Sequence, residues 1–149
     1  MKYKNLTSKE KLDVLKKRFK FTHLTKLEMD GDRIKRNFIK PKEVTNVLYA
    51  IAIDDELTYI GKTNCFWKRM DTYRNSKYWK NANESNVQKT EKLEQAIKAG
   101  KKVDIFVRQC VVLTINTEVG NVIVTTMHTE EPRFIKQFKP SWNVQFGKL

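Results

Sequence analysis

Leu12, Leu15 and Phe19 recur three and four residues apart behind a Thr7-x-x-Glu10 capping box, with lysines filling the intervening positions. This spacing predicts an amphipathic helix over 7–19. Residues 22–29 and 34–39, separated by Asp30-Gly31, have the alternation and turn chemistry of a hairpin. The apolar run at 47–53 reads as a buried strand. Asp54-Asp55-Glu56 then forms a turn, residues 57–60 return as a second strand, and Gly61 ends it. A helix is expected over 65–73. A polar, irregular segment follows over 75–88, then a helix over 90–99 stopped by Gly100. A long strand is expected over 103–115, a turn over 116–120, a strand over 122–126, and a last helix over 130–138 closed by Pro140. Helices alternating with short antiparallel strands predict an α/β chain of the α+β type: a small antiparallel sheet flanked by helices. Residues 1–45 form a basic N-terminal extension, a helix plus hairpin suited to DNA binding or a subunit contact. Residues 46–149 form the main domain, with a helical insertion around 75–92.

Length and composition narrow the function. A chain of 149 residues with 40% hydrophobic and 11% aromatic side chains can bury a core, which excludes a fully disordered chain. Thirty Lys and Arg against 17 Asp and Glu give a net charge of +13, and a surplus of this size points to an anionic partner. The charge is uneven: +8 over 1–43, −3 over 44–61, +5 over 62–92, −1 over 93–132 and +4 over 133–149. Basic blocks around near-neutral segments suit a scaffold carrying a nucleic-acid surface. Two cysteines far apart exclude a disulfide scaffold and suggest a reducing, cytoplasmic compartment. With only two histidines, a four-ligand zinc site is not expected. No run is long enough to span a membrane, and no apolar stretch follows the N-terminal lysines. The first helix is cationic and amphipathic, a type that lies on membranes, but its narrow apolar face favours packing on its own domain or a sister subunit.

Gly61-Lys62-Thr63 imitates the end of a phosphate-binding P-loop, but that motif needs a glycine where Glu56 stands. Three other features carry more. Tyr49 and Tyr59 lie on paired strands joined by a tight acidic turn. On the helix after Gly61, the inward stripe of Phe66, Met70 and Tyr73 also includes Arg69, a cation that is costly there unless paired. On the last helix, the stripe of Phe134, Ile135 and Phe138 includes Glu131, with Glu130 about 100° away. An acid at a helix N-terminus is explained by the helix dipole alone. That does not explain an inward acid together with an inward arginine.

Tyr49, then Tyr59-Ile60-Gly61, Arg69, Glu131-x-x-x-Ile135 and Pro140-x-x-Asn143 together resemble the GIY-YIG nuclease family, over about residues 46–146. The first signature reads Val47-Leu48-Tyr49, without a leading glycine. Most of the chain is similar to bacteriophage members of that family. The resemblance implies a DNA endonuclease that hydrolyses phosphodiester bonds in double-stranded DNA, directed at unmodified host DNA in the host cytoplasm and assembled as a homotetramer. It implies one divalent metal held by Glu131, and a single carboxylate suits Mg²⁺, which keeps most of its waters. Tyr49 would take a proton from the attacking water. An ordinary phenol titrates near pH 10, so this requires a lowered pKa or a proton relay from a close cation such as Lys62. Arg69 would grip the phosphate, Tyr59 would orient phosphate or water, and Gly61 would let backbone approach the site. The resemblance places Lys89 close to the scissile phosphate. Asn143 would fix the metal shell or the glutamate, or act as a helix cap. His128 would support Glu131 from a distance or sit on the surface. Arg74, Lys77 and Lys80 would bind substrate, and Tyr78 with Trp79 would stack or wedge against DNA. The alternatives are a DNA-binding module without chemistry and a structure-selective repair nuclease.

Overall fold

The computed structural model describes residues 3–35 and 43–145. In chain order its elements are α1 (Ser8–Arg18), β1 (Thr22–Lys26), β2 (Met29–Asp30), β3 (Arg33–Ile34), β4 (Val47–Ile53) and β5 (Glu56–Thr63). Next come α2 (Phe66–Asn75), a 3₁₀ turn (Ser76–Tyr78), α3 (Glu84–Lys98) and β6 (Val103–Gln109). The chain ends in β7 (Val112–Thr117), β8 (Gly120–Thr125), α4 (Met127–Phe138) and α5 (Ser141–Gln145). An antiparallel sheet in the order β1-β6-β4-β5 is the centre, as the α/β reading expects.

Alternation along β4 divides the molecule. Leu48, Ala50 and Ala52 face a core built with Leu12 and Leu15 of α1 and with Phe134, Ile135 and Phe138 of α4. Tyr49 and Ile51 face a second core built with Phe66, Met70 and Tyr73 of α2, Leu93 and Ala96 of α3, and Trp142 of α5. Both faces of the central strands are covered, so β4 reads as an unbroken apolar run rather than an alternating one. The capping box of α1 is formed: Thr7 Oγ1 accepts from the Glu10 N–H at 3.1 Å, and Glu10 Oε1 accepts from the Thr7 N–H at 2.9 Å.

The structure corrects several boundaries. Residues 22–26 do not pair with the segment after Gly31. They form the sheet edge against β6, and the expected hairpin shrinks to β2 and β3. The rest of its second arm, through Ile39, lies outside the described residues. The N-terminal extension is thus part of the same body: α1 packs on the sheet and β1 belongs to it. The 103–115 strand is two strands. β6 ends at Gln109, and β7 pairs with β8 as a separate ribbon carrying the exposed Leu113, Ile115, Val122, Ile123 and Val124. Continuous β-branched sequence hid the break at Cys110. Within 75–88 the irregular part is short: Asn83 caps α3, accepting from the Asn86 N–H at 3.3 Å, so the helix starts at Glu84 rather than 90. Lys89 therefore sits on a helix and not in a loop. α4 begins at Met127, three residues before the expected start.

Two local constraints set the site. The turn after β4 has two central residues, Asp54 and Asp55, both at positive φ (51° and 63°), a tight hairpin geometry that aspartate tolerates. Glu56 already belongs to β5, paired with Ile53. Gly61 does not end β5 but lies inside it, opposite Tyr49. A Cβ at Gly61 would stand 2.5 Å from Tyr49 Cζ, so only glycine lets the tyrosine ring cross the neighbouring strand. On the open edge of β5, Asn143 of α5 accepts from the Ile60 N–H and donates to the Ile60 carbonyl, both at 2.9 Å. A buried side-chain amide thus stands in for a further strand. Asn143 lies inside α5 and is not a helix cap. It clamps the backbone between Tyr59 and Gly61.

Asn143→Ala would orphan two buried backbone groups, at about 1–3 kcal/mol each. We expect the melting temperature to fall by roughly 5–15 °C; a shift under a degree in calorimetry would show that water replaces the amide. Gly61→Ala should cost about 1–3 kcal/mol through the clash with Tyr49. It should also abolish activity more completely than that loss of stability explains, measured below the unfolding transition.

Candidate active site

Tyr49, Tyr59, Lys62, Arg69, Lys89, Glu131, Asn83, Ser85 and Asn86 line one cavity of about 320 Å³. Six of these nine come from the residues singled out in the sequence. The sheet delivers three of them: Tyr49 from β4, and Tyr59 and Lys62 from β5. α2 delivers Arg69 from the same face as Phe66, Met70 and Tyr73. α4 delivers Glu131 one turn before Phe134 and Ile135, as the stripe predicted.

The floor of the cavity is deep. Tyr49 is 1% exposed, Lys89 3% and Tyr59 6%. Tyr49 Oη and Tyr73 Oη share a hydrogen bond of 2.6 Å. Lys89 Nζ donates to Tyr59 Oη at 3.1 Å and stands 4.5 Å from the centre of that ring. The two pocket tyrosines lie 6.0 Å apart, centre to centre. Lys62 Nζ approaches Glu131 Oε1 at 3.7 Å.

Electrostatics correct one expectation. Burial, reinforced by Tyr73, pushes the Tyr49 phenol well above its ordinary value. Arg69 works against this and Glu131 adds to it. Burial does the same to Tyr59, with Tyr49 and Glu131 contributing, and Arg69 again opposes. The cation that most favours the charged form of Tyr49 is Arg69, not the expected Lys62. The Arg69 guanidinium is itself held charged, because Tyr49 raises its pKa more than burial lowers it. Its Nε is buried and has no hydrogen-bond partner among the described residues. A buried charged donor left unpaired is expensive. It faces a cavity that also holds two lysines, a donor set that suits an anion.

Other expected residues stay out of the cavity. Arg74 donates to the Ile34 carbonyl at 3.2 Å and ties α2 to β3. Lys77 pairs with Glu94 at 2.6 Å, which raises the lysine pKa and fixes the 3₁₀ turn to α3. Lys80 is exposed beyond that turn, and His128 is exposed on the first turn of α4. None of the four lines the cavity. Glu130 is likewise structural. Burial pushes its carboxyl up, but hydrogen bonds from the Thr126 hydroxyl and from Arg108 Nε (2.6 Å) outweigh this and hold it below the usual range.

Sequence reasoning missed four contributors. Tyr73 looked like core, yet its hydroxyl is the one that meets Tyr49; its position four residues after Arg69 on one helix face was the available signal. Asn83, Ser85 and Asn86 were read as irregular. The Asn83 cap ahead of Glu84 was the signal that a helix N-terminus enters the site. As for a metal, no cluster of three or more acidic, histidine or cysteine side chains occurs among the described residues. Glu131 is the one acidic side chain lining the cavity. That donor set fits a hard cation that keeps most of its waters and takes other ligands from a phosphate.

No family model matches the chain. It is 40% identical over 130 residues to Endonuclease II of Enterobacteria phage T4, covering 87% of this chain and 94% of that protein. The solved structure of a glutamate-to-alanine mutant of bacteriophage T4 EndoII superposes with a TM-score of 0.77 at 39% identity, over 89% of this chain and 98% of that one. A restriction endonuclease in complex with product DNA has the same fold at 19% identity, with a TM-score of 0.58 over 88% and 86% of the two chains. Identity of this extent, over 87% of the chain, places it in the endonuclease II family.

Proposed function

We propose that this chain is a divalent-metal-dependent DNA endonuclease of the GIY-YIG type that cuts phosphodiester bonds in double-stranded DNA, directed at unmodified host DNA in an infected cell. The observation that carries the reading is one recessed cavity in which Arg69, Lys62 and Lys89 surround a single carboxylate and two phenols. A DNA-binding module without chemistry accounts for the net charge of +13 but leaves the buried Arg69 Nε, Glu131 and the tyrosine pair without a purpose.

In this reading Arg69 grips the phosphate and stabilises the charge that builds on it. Lys89, held by Tyr59, contributes a second cation from α3. Tyr49 orients the attacking water and, in the minor phenolate form that Arg69 favours, takes its proton and becomes neutral, while the hydrogen bond with Tyr73 holds the Tyr49 oxygen in place. Glu131 would hold Mg²⁺, which when bound would polarise the phosphate and offset the carboxylate charge that helps to keep both phenols protonated. Plasmid nicking by the purified chain with and without Mg²⁺ tests the reading directly. Equal cleavage in a chelator would remove the metal.

One cavity cuts one strand, so a double-strand break needs two chains. The homotetramer implied by the family resemblance is supported by the β7–β8 ribbon. Leu113, Ile115, Val122 and Val124 share one face of it, and Glu118 is the only Asp, Glu, Lys or Arg between 109 and 129. A two-stranded ribbon alone is marginal in water, and an uncharged edge invites pairing. Light scattering over a concentration series should give a mass above 17.7 kDa.

Glu131→Ala should abolish cleavage while leaving duplex binding equal or tighter and the melting temperature within about 2 °C. Glu130→Ala should do the reverse, losing about 1–3 kcal/mol of stability with the Arg108 pair and retaining cleavage below its lower melting point. Equal loss of activity in both would defeat the separation of the two faces of α4.

With Tyr49 protonated far into the alkaline range, its base form grows about tenfold per pH unit. Single-turnover cleavage should therefore climb from pH 6 to 9 with no plateau. A plateau below pH 8 would assign the proton transfer to another group. Arg69→Lys keeps the charge but loses the planar fork, and we expect a rate loss of at least about a hundredfold with the fold intact. Full activity would mean that a point charge suffices.

A further inference from the structure

Tyr49, Lys89 and Tyr59 form the floor of the cavity and are 6% exposed or less. The phosphates of a straight duplex lie on a smooth cylinder. For one of them to meet Arg69 Nε and this floor, the backbone has to leave that cylinder. Something beside the cavity must therefore deform the duplex, and the connection from α2 to α3 carries a side chain suited to it.

Trp79 is 47% exposed, whereas Phe66 and Tyr73 on α2 behind it are fully buried and Trp67 is half-buried. Its base is rigid. Ser76 Oγ and Thr90 Oγ1 share a buried hydrogen bond of 2.9 Å, and Lys77 pairs with Glu94 at 2.6 Å. The Arg33 guanidinium stands 3.9 Å from the centre of the Tyr78 ring, and Tyr78 Oη donates to the Asp32 carbonyl at 3.3 Å. The Trp79 N–H closes the turn on the Ser76 carbonyl at 3.1 Å, and the backbone there becomes extended. Tyr78 is thus pinned and Trp79 projects from the pin. Four residues later the chain reaches Asn83 on the cavity wall. That span is at most about 14 Å, or roughly four base steps at ~3.4 Å each. Between 72 and 83 no residue is acidic; Lys77 is engaged by Glu94 and Arg74 by the Ile34 carbonyl, while Lys80, next to Trp79, is exposed. Lys80 draws in a polyanion beside an indole that offers it a flat apolar face and no charge.

We propose that Trp79 is a wedge that stacks on or enters a base step flanking the scissile phosphate, unstacking the duplex so that the phosphate drops into the cavity. This rests on the nuclease reading above and assigns a residue outside its catalytic group. Aromatic wedges trade the energy of one stacked step for a bent duplex that meets more protein surface.

The test uses the full chain carrying Glu131→Ala as the parent, so that DNA stays intact, and a set of 20-base-pair duplexes with 2-aminopurine at successive positions. Trp79→Ala should weaken binding about tenfold without changing the slope of log affinity against log salt, because no phosphate contact is lost. Trp79→Phe should bind within about threefold of the parent. The rise in 2-aminopurine fluorescence at one position should appear with Trp or Phe and vanish with Ala. In the chain with Glu131 present, Trp79→Ala should lower single-turnover cleavage more on intact duplex than on a duplex already mismatched at that position, a rescue that a merely structural role would not produce. Unchanged affinity and fluorescence in Trp79→Ala overturn the wedge and leave the nuclease reading standing, as does a change of oligomeric mass with the fluorescence unaltered. If the parent binds no duplex at all, the nuclease reading falls first and the wedge with it.

Discussion

The ring of Tyr49 crosses the neighbouring strand at Gly61, where any side chain would collide with it. The rest of the site depends on that approach. It carries the Tyr49 hydroxyl past β5 to Tyr73, whose bond at 2.6 Å fixes one face of α2. One turn back on that face is Arg69, and one further turn back is Phe66, edge-on to the Tyr49 ring at 5.8 Å. Beside Gly61 the backbone of Ile60 is held from the other edge by Asn143, so β5 cannot slide to relieve the contact. A missing Cβ, a buried phenol pair and an amide clamp are thus parts of one constraint. They explain why a cavity that must position a phosphate is built on strands and helices instead of loops.

The same packing creates the electrostatic problem that the site has to solve. Phenols sunk this deep stay neutral because burial penalises the phenolate, and the Glu131 charge penalises it further. Arg69 is the protein's own counterweight, and it is also the group left without a partner at Nε. In the proposed mechanism, substrate binding and activation of the tyrosine would share this single side chain, and replacing a planar guanidinium by an ammonium there would not be conservative.

Residues whose role follows from face and period were legible before any coordinates. Arg69 and Glu131 interrupt apolar stripes, and both do line the cavity. The turn aspartates, the α1 capping box and the β4 run were readable for the same reason: local spacing determines them. Positions set by contacts across distance were not. Asn143 looks like a cap or a ligand until α5 is seen against the open edge of β5. The sequence does not show that Arg74 is tied to the Ile34 carbonyl or that Lys77 is paired with Glu94. The break between β6 and β7 is invisible in a β-branched run, because both the sheet strand and the free ribbon favour the same side chains. Positive charge along the sequence marks which segments can meet DNA, but not which cations are already engaged within the fold.

That distinction between engaged and open charge orders the surface around the cavity. Lys77 is neutralised by Glu94, and Arg108 by Glu130, and these pairs brace α3 and the start of α4. Lys62 stands 3.7 Å from Glu131, and Lys89 donates to the Tyr59 hydroxyl. Lys77 and Arg108 lie outside the cavity, and Lys62 and Lys89 line it. Like charges confined in a cavity of this depth repel one another more than they would in water. Only one carboxylate is present to offset three of them. The fold carries this repulsion because two cores, on opposite faces of one sheet, hold the strands and helices that bring the cations together. In the proposed reaction a phosphate would offset this repulsion and accept from Arg69 Nε in the same step, so that the charge gathered by the fold would serve to bind the group to be cleaved.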